Sequence, residues 1–183
     1  LKLQLAMLEQ KNISEKMSKD INEMEKMLNN YLQFAKTQSL EDTSKIDLFS
    51  LFKEIEKDLN NKNLILSNLD DTFLEGRLFS LKRCFENVIQ NGLIYGGNVY
   101  VSFQKGSNRV LINIEDDGPG IPEDQYKNVF KPFFRLDKSR SLNQSGVGLG
   151  LAIVEDIINS HGGSIQLGSS KYNGLQVKIS LPF

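Results

Sequence analysis

The sequence predicts an α+β chain: a two-layer α/β sandwich preceded by an antiparallel helical hairpin. Three observations carry that expectation. Residues 1–36 hold an apolar stripe at helical spacing. Two pairs of alternating apolar runs, near 99–103 with 110–114 and near 165–167 with 177–181, flank turn-forming stretches as β-hairpins do. Helix-period segments stand between those hairpins, so one sheet face has helices to cover it.

Taken in order, Leu1, Leu5 and Leu8 share a stripe, and Met17, Ile21, Met24, Leu28, Tyr31 and Ala35 repeat the spacing of a coiled-coil seam. Asn12-Ile13-Ser14 is read as the turn between them, with Ser14 capping the second helix. Two such helices leave apolar surface uncovered, so a homodimer closing a four-helix bundle is expected, ahead of the alternative that the stripe packs on the chain's own globular domain. Residues 37–45 read as a linker and 46–183 as the globular domain. Asp47 is placed to cap a helix with Leu48, Phe52, Ile55 and Leu59 inward. Leu64-Ile65-Leu66 and Phe73-Leu74 are short strand candidates. A helix over 78–95 buries Leu78, Leu81, Phe85, Val88 and Gly92. Lys105-Gly106-Ser107-Asn108 turns the first hairpin and Asn173-Gly174 the second.

Composition sets the outer limits. With 183 residues, 39% apolar and 25% charged, the chain suits one soluble globular domain plus an appendage. A formal net charge of −1 gives no basic field to draw in nucleic acid or anionic lipid. A single cysteine, Cys84, excludes an intrachain disulfide and a cysteine metal cluster. No apolar run of about 18 residues is present, so membrane contact is expected only through segments outside this sequence. The start at Leu1, inside a helical pattern, reads as that of a fragment.

The chemistry-bearing residues lie around two glycine clusters. Asp116-Asp117-Gly118-Pro119-Gly120 follows a strand, and Gly146-Val147-Gly148-Leu149-Gly150-Leu151 leads into a helix. Such glycines let backbone N–H groups approach a phosphate. Asn87 and Asn91, four apart on one helix face, offer amide oxygens to a hard cation or phosphate-bound water. Asp116 is placed to accept an exocyclic amine such as adenine N6. Phe130, Phe133, Lys131 and Arg135 combine aromatic anchors with cations, and Lys138 and Arg140 follow in a segment, 139–146, read as mobile. A helix dipole supplies only about 0.3–1 kcal/mol, against roughly 8 for micromolar binding. Mg2+, cations and an apolar purine pocket are needed for the rest. Plainer readings stay open: solvated amides for Asn87 and Asn91, a turn former at Asp116, a wet cationic loop at Arg135 and Lys138.

Together, Asn87-x-x-x-Asn91, Asp116-x-Gly118-x-Gly120, Phe130-x-Pro132-Phe133 and Gly146-x-Gly148-x-Gly150 resemble the N, G1, F and G2 boxes of sensor histidine kinases. Their order and spacing are similar to the Bergerat-fold ATPases (histidine kinases, gyrase B, Hsp90, MutL), over residues 46–183. Residues 115–121 and 148–154 look closest to EnvZ-type osmosensor kinases. The resemblance implies ATP and Mg2+ as cofactors, with Asn91 as the Mg2+ ligand and Asn87 contacting phosphate or water. It implies that Asp116 selects adenine, with Gly118, Gly120 and Ile121 against the base and Tyr95 nearby. Phe130 and Phe133 would anchor the lid, Arg135 would reach the phosphates, and Gly146, Val147, Gly148, Leu149 and Gly150 would wrap them. It further implies a dimerisation hairpin bearing the acceptor histidine, a response-regulator receiver domain as partner, and the cytoplasmic portion of a bacterial inner-membrane protein.

Three features qualify the likeness. The family usually places Lys or Arg where Ile94 stands, and usually Ala where Gly92 stands. Hydrolase relatives carry a glutamate at the position of Asn87, with Glu86 one residue away, which favours a kinase over an ATP hydrolase. The single histidine, His161, sits at a helix end and reads as a structural cap; the resemblance of the hairpin implies an acceptor a few residues before Leu1, so this chain is not expected to autophosphorylate.

Overall fold

The computed structural model describes residues 41–69, 71–136 and 148–183, together with Met17, Ser18 and Ile21. Those three are helical and exposed; the rest of the expected hairpin, its bundle, and Gly146, Val147, Lys138 and Arg140 lie outside the described residues. Glu41–Phe183 form one compact unit, separate from Leu1–Leu40. No helix among the described residues is long and apolar enough to cross a membrane.

The unit opens earlier than the sequence suggests. Strand β1 (Ser44–Asp47) lies partly in the stretch read as linker and pairs antiparallel with β3 (Phe73–Gly76). Helix α1 (Leu48–Leu59) follows, its cap as expected: Asp47 Oδ1 accepts the Phe49 N–H at 3.0 Å. Strand β2 (Leu64–Leu69), helix α2 (Leu78–Tyr95), strands β4 (Val99–Lys105) and β5 (Arg109–Asp116), helix α3 (Gly150–Ser160) and strands β6 (Ser164–Ser169) and β7 (Leu175–Pro182) complete it. The main sheet runs β2-β4-β5-β7-β6. All its pairings are antiparallel except β2 with β4, which the α2 crossover makes parallel.

Alternation along the strands puts one apolar face under the helices. Val101, Phe103, Ile112, Ile114, Val177 and Ile179 are at most 2% exposed and sit in register across three strands. Phe52 of α1 stacks between Phe85 of α2 and Phe103 of β4, with centroids at 4.7 and 5.7 Å. Cys84 is buried in the same layer, and burial pushes its thiol far above the usual range.

Two polar contacts fix the helix ends. Arg77 precedes α2 and caps it with no side-chain bond. Instead Glu41 accepts the N–H groups of Phe79 and Ser80 at 2.5 and 3.0 Å, and the Ser80 hydroxyl at 2.8 Å. At the end of α3, His161 Nε2 accepts the Arg77 N–H at 3.1 Å, which leaves the proton on Nδ1 to donate to Ile157 O at 2.7 Å. Its role is that of a helix-end bracket between α3 and α2. Burial holds its pKa below the ordinary imidazole value of 6.5.

Two outcomes follow. Phe52 is fully buried, so Phe52→Ala costs about 3–5 kcal/mol in urea unfolding. The folded chain resists protonating His161 while the unfolded chain does not. Its contribution is therefore complete above pH 6.5 and lost as pH falls through the lowered folded value. Unfolding free energy measured from pH 7.5 to 5 should fall less steeply in His161→Gln than in the unmodified chain.

Candidate functional site

Helices α2 and α3 run antiparallel, because the end of α3 bonds to Arg77 while its start meets the middle of α2. At that start stands Gly150. A methyl group there would lie 3.5 Å from both Asn87 Oδ1 and Asn91 Nδ2. Asn87 Nδ2 donates to Arg83 O at 2.9 Å, which orients the amide and turns Oδ1 outward from that bond. The residue before α3, Leu149, provides no side-chain cap, and the first turn holds no acidic residue. The start of α3, with no side-chain cap from Leu149, thus lies beside two half-buried carboxamides.

Asp116 closes the other end. It ends β5 at 9% exposure, and its Oδ1 accepts the N–H of Gly118 at 2.9 Å and of Leu175 at 3.0 Å. Burial raises its pKa, and those two donors oppose the rise. Among the described residues, Oδ2 accepts no bond and stays available to an outside donor. The surrounding glycines are there for space. A Cβ on Gly174 would run into Asp116, and one on Gly120, whose φ is +69°, would sit 3.4 Å from Gly174 O. Gly92 stands at a close helix–strand approach: a Cβ there would fall 2.6 Å from Val99 Cγ2.

Between these ends, Ile121 is half-buried and Tyr95 is 40% exposed at the close of α2. The aromatic segment 129–135 follows, and the lid beyond it lies outside the described residues. Val129 is its buried side chain, whereas Phe133 is 62% exposed with a left-handed φ of 65°. Phe133 connects through its backbone instead, its N–H donating to Gly148 O at 2.9 Å. Phe130 is half-buried and lines, with Tyr126, Glu155, Ile165 and Leu167, an open cleft of about 650 Å3 that includes neither Asn91 nor Asp116. Arg135 is half-buried, its Cγ 3.2 Å from a Cβ built on Gly148, whose φ is +79°. Leu149 is buried.

The structure therefore joins Asn87, Asn91 and Gly150 in one group, Asp116, Gly118 and Gly120 in a second, and Phe133, Arg135 and Gly148 in a third. Sequence reasoning missed Leu175 and Gly174, which hold Asp116 from the β6–β7 turn. The Asn173-Gly174 turn signal was visible, but a backbone donor has no residue-type signature.

Residues 76–183 match the family model described as histidine kinase-, DNA gyrase B-, and HSP90-like ATPase. The sensor histidine kinase GtrS of Pseudomonas aeruginosa is 32% identical over 185 residues, which is all of this chain and 38% of that relative. The ATP binding domain of PrrB from Mycobacterium tuberculosis is 27% identical with a TM-score of 0.62, covering 78% of this chain and 98% of that domain. The kinase domain of the Escherichia coli osmosensor EnvZ is 35% identical with a TM-score of 0.57, covering 76% and 88%. This chain belongs to the histidine kinase-, DNA gyrase B-, and HSP90-like ATPase family, and sensor histidine kinases are among its relatives.

Proposed function

We propose that this chain is the catalytic core of a sensor histidine kinase. It binds ATP with Mg2+ and passes the γ-phosphoryl to a histidine of a dimerisation hairpin, for relay to an aspartate of a response-regulator receiver domain. One observation carries the reading: the uncapped start of α3 converges on Asn87 and Asn91, with the open oxygen of Asp116 at the other end. The residues fit the cofactor. Amide oxygens suit a hard cation, helix amides suit phosphate, and a held carboxylate suits an exocyclic amine. Mg2+ would neutralise phosphate charge when bound. Asn91 would hold it, with Asn87 beside it on phosphate or water.

The remaining roles follow from position. Asp116 would accept the adenine amine, with Gly118, Gly120, Ile121 and Tyr95 around the base. Arg135 and the amides of residues 146–150 would balance the phosphates, with Phe130 and Phe133 at the base of the lid. Transfer then needs positioning more than covalent help: the acceptor imidazole nitrogen gains phosphorus as the bond to ADP breaks. The wider reading, a homodimeric cytoplasmic part of a bacterial inner-membrane protein, rests on the hairpin stripe and the family. The narrower EnvZ type rests on residues 115–121 and 148–154 and the 35% identity to that kinase domain.

A degenerate, ATP-binding scaffold is the second reading, favoured by Ile94, 47% exposed where the family has a cation. A hydrolase finds less support. Glu86 lies one helical turn from Lys82, which pairs with Glu54 and Asp58 of α1, so it belongs to that surface cluster.

The chain, Mg-ATP and a separate hairpin bearing an acceptor histidine distinguish these readings. Phosphohistidine on the hairpin, lost in Asn91→Asp, is the expected result, with no label on the chain alone. Binding without transfer selects the scaffold, steady phosphate release without acceptor selects the hydrolase, and stoichiometric label on the chain overturns the role given to His161. Asp116→Asn keeps an oxygen for Leu175 and Gly118 but turns an amide donor toward the adenine amine. ATP affinity by calorimetry should fall by about 10–100-fold, with melting temperature nearly unchanged; unchanged affinity sinks the adenine role.

A further inference from the structure

We propose that Asp117 is a positioning residue: its carboxylate staples the turn after α2 to the turn after β5, and so sets the separation of Asn91 from Asp116. The inference rests on the nucleotide reading above. Asp117 Oδ1 accepts the N–H of Gly97 at 2.6 Å and of Asn98 at 2.7 Å, and Oδ2 accepts Asn98 Nδ2 at 2.7 Å. Both oxygens are therefore taken by donors of two adjacent residues, which leaves the carboxylate bracing rather than reaching for a ligand. These bonds lie just past the last ladder rung between β4 and β5, Val99 with Asp116.

The two turns meet backbone to backbone. A Cβ on Gly118 would lie 2.9 Å from Tyr95 O, and one on Gly96 would lie 3.0 Å from Gly118 N. The Gly96 N–H still donates to Gly92 O at 2.8 Å, so the turn is continuous with α2. Asn91 stands one helical turn before Tyr95. A shift at residues 96–98 is thus passed along α2 to Asn91, while Asp116 stays fixed in β5. The donors on Asp117, first the Asn98 N–H, pull its pKa down to about 2, so the staple is charged at any working pH.

A brace of this kind matters to a ligand that spans both ends and not to one that occupies a single end. Affinities of the full chain for Mg-ATP and for adenosine, by calorimetry and NMR titration, test it. In Asp117→Ala, ATP affinity is expected to fall about tenfold, equivalent to ~1.4 kcal/mol, with adenosine within about twofold of the unmodified chain. Asp117→Asn retains an acceptor for the two backbone N–H groups and should recover most of the loss. Unchanged ATP affinity, or equal losses for ATP and adenosine, overturns the inference. If Asp117→Ala does not fold, Asn98→Ala removes the side-chain bond alone, and an ATP affinity unchanged there overturns it too. Failure of the unmodified chain to bind ATP sinks the nucleotide reading and this inference with it.

Discussion

A carboxylate at the inner end of a buried strand must be given donors, or its charge becomes too costly to keep. Asp116 meets this requirement with two backbone N–H groups from segments far apart in the chain, Gly118 and Leu175. Much of the local sequence follows from the need to bring those donors close. Glycine at 118, 120 and 174 removes the methyl groups that would obstruct the approach, and glycine at 92 lets α2 lie against β4 beside the same carboxylate. One oxygen is consumed in holding the group still, and the other is left with its acceptor capacity intact. A rigid, half-satisfied acceptor is what selective recognition of an amine requires.

The helices add a second constraint. Antiparallel packing brings the amide-rich start of α3 onto the carboxamide face of α2, and brings the end of α3 to the start of α2. The same pair of helices is therefore bracketed at one end by His161 and Glu41, while at the other the start of α3 has no side-chain cap from Leu149. Stability and the candidate chemistry occupy opposite ends of one helix pair. Neutral His161 keeps the closed end free of a like charge beside Arg77.

The parts of the fold that repeat with a period were legible. Alternating Val99, Val101 and Phe103 against Val110, Ile112 and Ile114 gave the first hairpin, and the stripe from Leu81 to Val88 gave α2. Strand β1 was not, because Ser-Lys-Ile-Asp offers a single buried side chain, Ile46. The parallel pairing of β2 with β4 depends on a crossover, which no local pattern encodes. Of the site, residue types with side-chain chemistry could be read: Asn87, Asn91 and Asp116. The contribution made through the backbone at Leu175 could not. Phe133 was read from its aromatic ring; its N–H bond to Gly148 O, made at a left-handed φ, has no residue-type signature.

Strand order has a consequence for assembly. β7 follows every other strand in the chain, yet it lies inside the sheet, between β5 and β6. Until β7 is made, β5 presents an open edge, β6 has no neighbour, and Asp116 is missing the Leu175 donor. A chain cut short before β7 would therefore lack both the strand that joins β5 to β6 and the Leu175 donor that helps hold Asp116.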